Sequence, residues 1–174
     1  IASQDWEHVN GLLDRYALPI IFPGFGRLVI DWCRQIPRSF LEKAPDICIY
    51  YAWALVLTFR DDYMETVEEY LQIAEQAIQR TDLPEFAPVG EGEASVPIRD
   101  WVAGHIAVIR SQILLGHLFE NIDPQEEIAL SQKGLDLLPE TEHLSRSICR
   151  INLAHAQTMQ NHPIEAQQAF EDVM

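Results

Sequence analysis

The 174-residue chain carries six histidines, three cysteines and 27 acidic residues, so raw material for metal binding or acid–base catalysis is present. Spacing decides whether it can be used. His8, His105, His117, His143, His155 and His162 form no His-Glu-x-x-His pair and stand apart from every cysteine, so a zinc ligand set is missing. Cys33, Cys48 and Cys149 are odd in number, widely spaced and each embedded in a helical apolar pattern. That pattern predicts buried free thiols in a reducing cytosol. Asp61, Asp62, Glu65, Glu68 and Glu69 cluster on one stretch, but nothing nearby offers the burial that retunes a carboxylate, so a solvated helix flank is expected. Gly24-Phe25-Gly26 follows no strand and lacks a third glycine, which makes it a turn between helices rather than a dinucleotide loop. No Gly-Lys pair supplies a P-loop and no nucleophile elbow is found. These residues predict a non-catalytic chain with neither metal nor cofactor.

Charge narrows the partners. Twelve Lys and Arg against 27 Asp and Glu give a net charge of −15. Such a surface repels phosphate backbones, so no direct nucleic-acid binding is expected. The longest apolar run, Ile47 to Thr58, is too short to cross a membrane and no signal peptide precedes it, which predicts a cytoplasmic chain. An apolar share of 48% with 22% charged residues is ordinary for a globular protein.

The elements that must position these side chains are helices. Trp6, Val9, Leu12, Leu13 and Tyr16 recur at spacings of three and four, one amphipathic stripe over residues 5–16. Pro19 and the Pro23–Gly26 segment break it. Leu28 to Ile36 forms the next helix, and Pro37 stops it or opens the one after. Asp46 to Phe59 reads as a nearly all-apolar helix buried between neighbours. Asp61–Arg80 and Ile98–Leu118 follow, separated by a long loop over residues 81–96 that contains Pro84, Pro88 and a Gly-Glu-Gly-Glu run. Asp123 caps a helix with Pro124 in its first turn that ends at Pro139; Thr141–Gln160 and Pro163–Val173 complete the chain. No strand is expected, so the fold class is all-α.

Pairs of helices recur with the period of a tetratricopeptide (TPR) repeat. Asn152, Leu153 and Ala154, then Ala166 and Phe170, fall where such a repeat places Asn-Leu-small, a second small residue and a large aromatic; Gly134 to Pro139 (GLDLLP) closes an earlier copy. Small residues let two helices approach, and large ones fill the groove between them. In order along the chain, Asp31–Pro37 (DWCRQIP), Ala44-Pro45, Tyr51–Leu55 (YAWAL), Ala74–Ile78 (AEQAI), GLDLLP and the Asn-Leu-Ala helix resemble the TPR-like region of MalT-type, large ATP-binding LuxR-family transcriptional regulators. The chain departs from that pattern at Phe59-Arg60-Asp61, Asn161-His162 and Glu127, and its register around residues 111–122 is lengthened by about one turn.

The resemblance implies a TPR-like right-handed α-solenoid of antiparallel helix pairs, one domain over residues 1–174, excised from a longer regulator. It implies a non-catalytic sensor that takes a small-molecule inducer or a regulatory protein in its concave groove; the alternative is a general TPR scaffold that binds a peptide segment of a partner. Solenoid ends without polar caps imply self-association or a swapped terminal helix. In that register Trp53, Gln112 and His155 come from three successive first helices and line the groove, where an aromatic face beside hydrogen-bonding side chains suits a sugar or a peptide. Trp6, Trp32, Trp53 and Trp101 all sit on apolar stripes, so inter-helix core is the other reading open to them.

Overall fold

The computed structural model describes residues 5–58, 63–87, 96–116 and 123–171. Every regular element among them is helical, apart from one isolated antiparallel bridge between Phe86 and Pro97. The helices are α1 (Trp6–Ile20), α2 (Gly26–Cys33), α3 (Arg38–Leu41), α4 (Pro45–Leu57), α5 (Met64–Ala77), α6 (Ile98–Gly116), α7 (Pro124–Leu137), α8 (His143–Met159) and α9 (Pro163–Glu171). No described helix is long and apolar enough to cross a membrane. The chain divides into two compact units, Ile1–Val102 and Ala103–Met174, with the boundary inside α6.

The first unit is built around α4. Its residues from Pro45 to Val56 are all buried, which is why its sequence shows no polar stripe. Helices α1, α2, α3 and α5 pack on it. Gly26 opens α2 against this helix: a Cβ there would sit 3.2 Å from the Ala54 carbonyl oxygen, so the close approach needs a glycine. Aromatic pairs fill the remaining gaps, Tyr51 edge-on to Tyr70 at 4.5 Å and Tyr50 edge-on to Trp101 at 5.8 Å between ring centroids.

The first break falls later than expected. Asp5 caps α1 by accepting the His8 N–H at 3.1 Å, and the helix continues through Pro19 instead of stopping there. Proline removes one donor near the end of α1, which the helix tolerates. The chain kinks through a π-helical segment, Ile21–Phe25, where Gly24 takes a left-handed φ of 102°. The predicted loop over 81–96 is tied at its two ends: Ala87 N–H donates to the Val96 carbonyl (2.8 Å), and Ile98 N–H to the Glu85 carbonyl (3.1 Å). Its middle, together with the Phe59–Asp62 connection, His117 and the lengthened register at 117–122, lies outside the described residues.

In the second unit, the Asp123 carboxylate caps α7 at the Gln125 N–H (2.9 Å), with Pro124 in the first turn as the sequence predicts. At the other end of α7, Arg146 donates to the carbonyls of Leu135 (2.6 Å) and Leu138 (2.7 Å), which would otherwise be left without partners. Helices α7 and α8 pack together, as do α8 and α9. Asn161 supplies the left-handed residue (φ 60°) at the turn between α8 and α9.

Candidate functional site

The three groove residues read from the sequence separate between the two units. Trp53 lies in α4, is 0% exposed and meets the Phe22 ring at 5.5 Å between centroids. Its ring is enclosed in the packing of the first unit, with no face open to solvent. Gln112 and His155 belong to the second unit, half-buried on α6 and α8.

A buried polar chain links those two helices. With its amide oxygen facing α6, Asn152 accepts from the Ser111 hydroxyl at 3.0 Å and from the Gln112 N–H at 3.2 Å, while its nitrogen donates to the Ile148 carbonyl at 3.3 Å. The Ser111 and Ser131 hydroxyls stand 2.8 Å apart, so the chain extends to α7. One turn beyond Asn152, His155 Nδ1 lies 3.2 Å from both carboxylate oxygens of Glu127. Glu127 is 1% exposed and His155 26%. Burial raises the Glu127 carboxyl above its ordinary range, and the neighbouring His155 partly opposes that rise. Glu127, a departure from the family pattern in the sequence, is therefore the partner of a predicted groove residue.

The first unit holds a second polar cluster. Asn10, Asp14 and Asp46 line a cavity of about 250 Å³ together with Lys43, Phe86 and Ile98. The Asn10 amide nitrogen is 3.4 Å from Asp14 Oδ2 and 3.0 Å from Asp46 Oδ2, and the Tyr50 hydroxyl donates to Asp14 Oδ1 at 3.3 Å. Burial, reinforced by the Asp46 carboxylate, pushes the Asp14 carboxyl up to about 8. The sequence carried no sign of this pair, because residues 14 and 46 meet only across helices.

Another concavity lies in the first unit along α1. It measures about 720 Å³ and is walled by Trp6, Val9, Leu12, Leu13, Tyr16 and Ile20 of α1 and by Trp32 of α2. Leu12 is 46% exposed, Tyr16 45% and Trp32 38%, so the stripe and the tryptophan that the sequence offers as core are partly in solvent. Periodicity had marked these residues as one apolar face; it carries no information about what covers that face. Phe170 of the TPR-like match is likewise half exposed rather than filling a groove.

Among the described residues no group of three or more His, Cys, Asp or Glu is placed to hold a metal ion. Glu69 pairs with Arg38, and Glu68 accepts from Gln72 at 3.2 Å. Compared with protein-family models, curated proteins and solved structures, the chain has no match.

Proposed function

We propose that this chain is a non-catalytic, TPR-like regulatory segment that binds an inducer or a regulatory protein, as the TPR-like regions of MalT-type LuxR-family regulators are expected to do in the cytoplasm. The observation that carries the reading is the packing of α6 to α9. Asn152 and Ala154 are fully buried at the positions of the repeat motif, and Ala166 is buried on the facing helix. Gly134 stands where a Cβ would come within 2.7 Å of Cys149 Sγ. Small residues at helix crossings and a buried Asn at the helix pair support a repeat, and repeats present extended surfaces for binding rather than catalytic centres. A TPR-like right-handed solenoid of antiparallel helix pairs belongs to this proposal.

Within it, Gln112 and His155 are the residues offered to a polar ligand, and Trp53 acts as the packing that holds α4 in place. Thermal shift against oligosaccharides and peptides tests the reading, since a ligand that binds only the folded chain raises the melting temperature. Gln112→Ala should abolish the shift and leave the unliganded melting temperature unchanged within about 2 °C, as expected for a half-buried surface position. ATP hydrolysis by the purified chain, or a shift of duplex DNA at physiological salt, overturns it. The net charge of −15 favours, as a second reading, a TPR-like scaffold for a basic peptide.

A further inference from the structure

Three polar groups without partners meet in a cavity of about 390 Å³ bounded by α7, α8 and α9. Helix α8 supplies its floor at Arg146, Arg150, Leu153 and Gln157, a helical spacing that puts all four side chains on one face. Asn152 and His155 do not line it, so the cavity is separate from the polar contacts those two residues make. Arg150 is half-buried and makes no hydrogen bond or ion pair among the described residues. Arg146 is 8% exposed; its terminal nitrogens are held by the Leu135 and Leu138 carbonyls and by Glu140, yet its Nε has no partner. Gln157 Oε1 is a buried acceptor, also without a partner. Buried polar atoms are nearly always paired, so these groups fit a ligand that brings an acceptor to the arginines and a donor to the glutamine.

The two kinds of group stand at opposite ends. Arg146 donates to the Leu135 carbonyl, which sets the arginines beside the end of α7. Asp136 on that side already accepts from the Gln132 amide at 3.0 Å, which leaves Arg150 available to an anion. At the other end, the short turn over 160–162 brings α9 back along α8 and sets Glu165 level with Gln157. Glu165 is exposed and has no ion pair among the described residues. One end therefore receives an anion and the other a cation.

Separation selects the ligand. Arg150 and Gln157 are two turns apart on α8, about 10 Å at 1.5 Å per residue. An α-amino acid carries its two charges only about 3 Å apart and reaches one end. A dipeptide extends over about 7 Å, and a hydrogen bond of about 3 Å at each end covers the rest. Leu153 and Ala169 lie between the ends and offer apolar contact to a side chain.

We propose that this cavity binds a free dipeptide, with its carboxylate on Arg150 and Arg146 Nε, its ammonium on Gln157 Oε1 and Glu165, and an aliphatic side chain against Leu153 and Ala169. This site goes beyond the inducer reading of Gln112 and His155 and stands on α7, α8 and α9 alone.

The probes are L-alanyl-L-leucine and L-leucyl-L-alanine, titrated into the whole chain by isothermal calorimetry. The C-terminal amide, the N-acetyl form and free L-leucine each lose a charged contact and should bind at least about 10-fold more weakly, the effect of one charge-assisted hydrogen bond. Arg150→Gln and Glu165→Gln should each weaken dipeptide binding about 10-fold or more, with circular dichroism and the unliganded melting temperature unchanged, because neither side chain has a partner to lose. Gln112→Ala should leave dipeptide binding as it is, which separates this site from the proposed inducer groove. The proposal is overturned if neither dipeptide binds saturably at millimolar concentration, or if binding survives both charge substitutions. Equal binding of the acetylated or amidated form also overturns it, since the occupant would then be a segment of a longer chain.

Discussion

Asp14 of α1 and Asp46 of α4 face each other across the first unit, with the Asn10 amide nitrogen within 3.4 Å of one and 3.0 Å of the other. Their contact joins the helix that walls the apolar groove to the helix at the centre of the core. Burial, with the Asp46 carboxylate beside it, holds the proton on Asp14.

Because the Asp14 carboxyl is pushed up to about 8 from an ordinary 3.8, the folded chain keeps a proton that the unfolded chain has lost. Stability should therefore be greatest below the ordinary value, fall as pH rises from about 4 to about 8, and level off above that. Asp14→Asn removes the titration while keeping a hydrogen-bonding side chain. With solvent screening allowed for, it should gain on the order of 1–2 kcal/mol over the natural chain at pH 8 and nothing at pH 4. Urea melts at the two pH values measure this; parallel pH profiles for both proteins would refute it.

Glycines at two helical positions should respond oppositely to alanine. At Gly134 a Cβ would come within 2.7 Å of Cys149 Sγ and 2.8 Å of Val108 Cγ2, both in the second unit's packed interior. Gly134→Ala should cost about 1–3 kcal/mol by overpacking, despite the better helix propensity of alanine. Gly11, inside α1, has nothing within 4 Å of its Cβ position. Gly11→Ala should stabilise by about 0.5–1 kcal/mol. Denaturant midpoints of the two variants decide the matter.

Removing His155 strands its partner. Glu127 is buried, and its carboxyl is raised by that burial and eased by the histidine beside it. His155→Ala should destabilise by about 1–3 kcal/mol at pH 7, the usual cost of leaving a buried acceptor without its donor. Adding Glu127→Gln should recover part of the loss, because a neutral amide costs less to bury than a charge. A double-mutant cycle by chemical denaturation reads the coupling, and full additivity would show that the pair contributes nothing.

Thiol chemistry should be silent in the folded chain. Cys33, Cys48 and Cys149 are buried and unpaired. Burial pushes Cys33 and Cys149 up to about 12 and raises Cys48 as well, which suppresses the thiolate that reacts. An aromatic disulfide reagent at pH 8 should label none of the three in buffer and all three in denaturant. Rapid labelling of any one in buffer would show that its helix opens.

Much of the architecture follows from the residues in order. Apolar spacing, the proline positions and the Asp123-Pro124 cap determine where the helices run, because each is a local property of the backbone. The all-apolar stretch around Trp53 likewise determines that α4 is enclosed. Pairings across the fold are another matter. Asp14 meets Asp46 over 32 positions, and Glu127 meets His155 over 28, through helix contacts that no local pattern encodes. Tertiary structure alone decided that the stripe from Trp6 to Ile20 is an open groove. An amphipathic sequence states which face avoids water, and the arrangement of neighbouring helices settles how much of that face is covered.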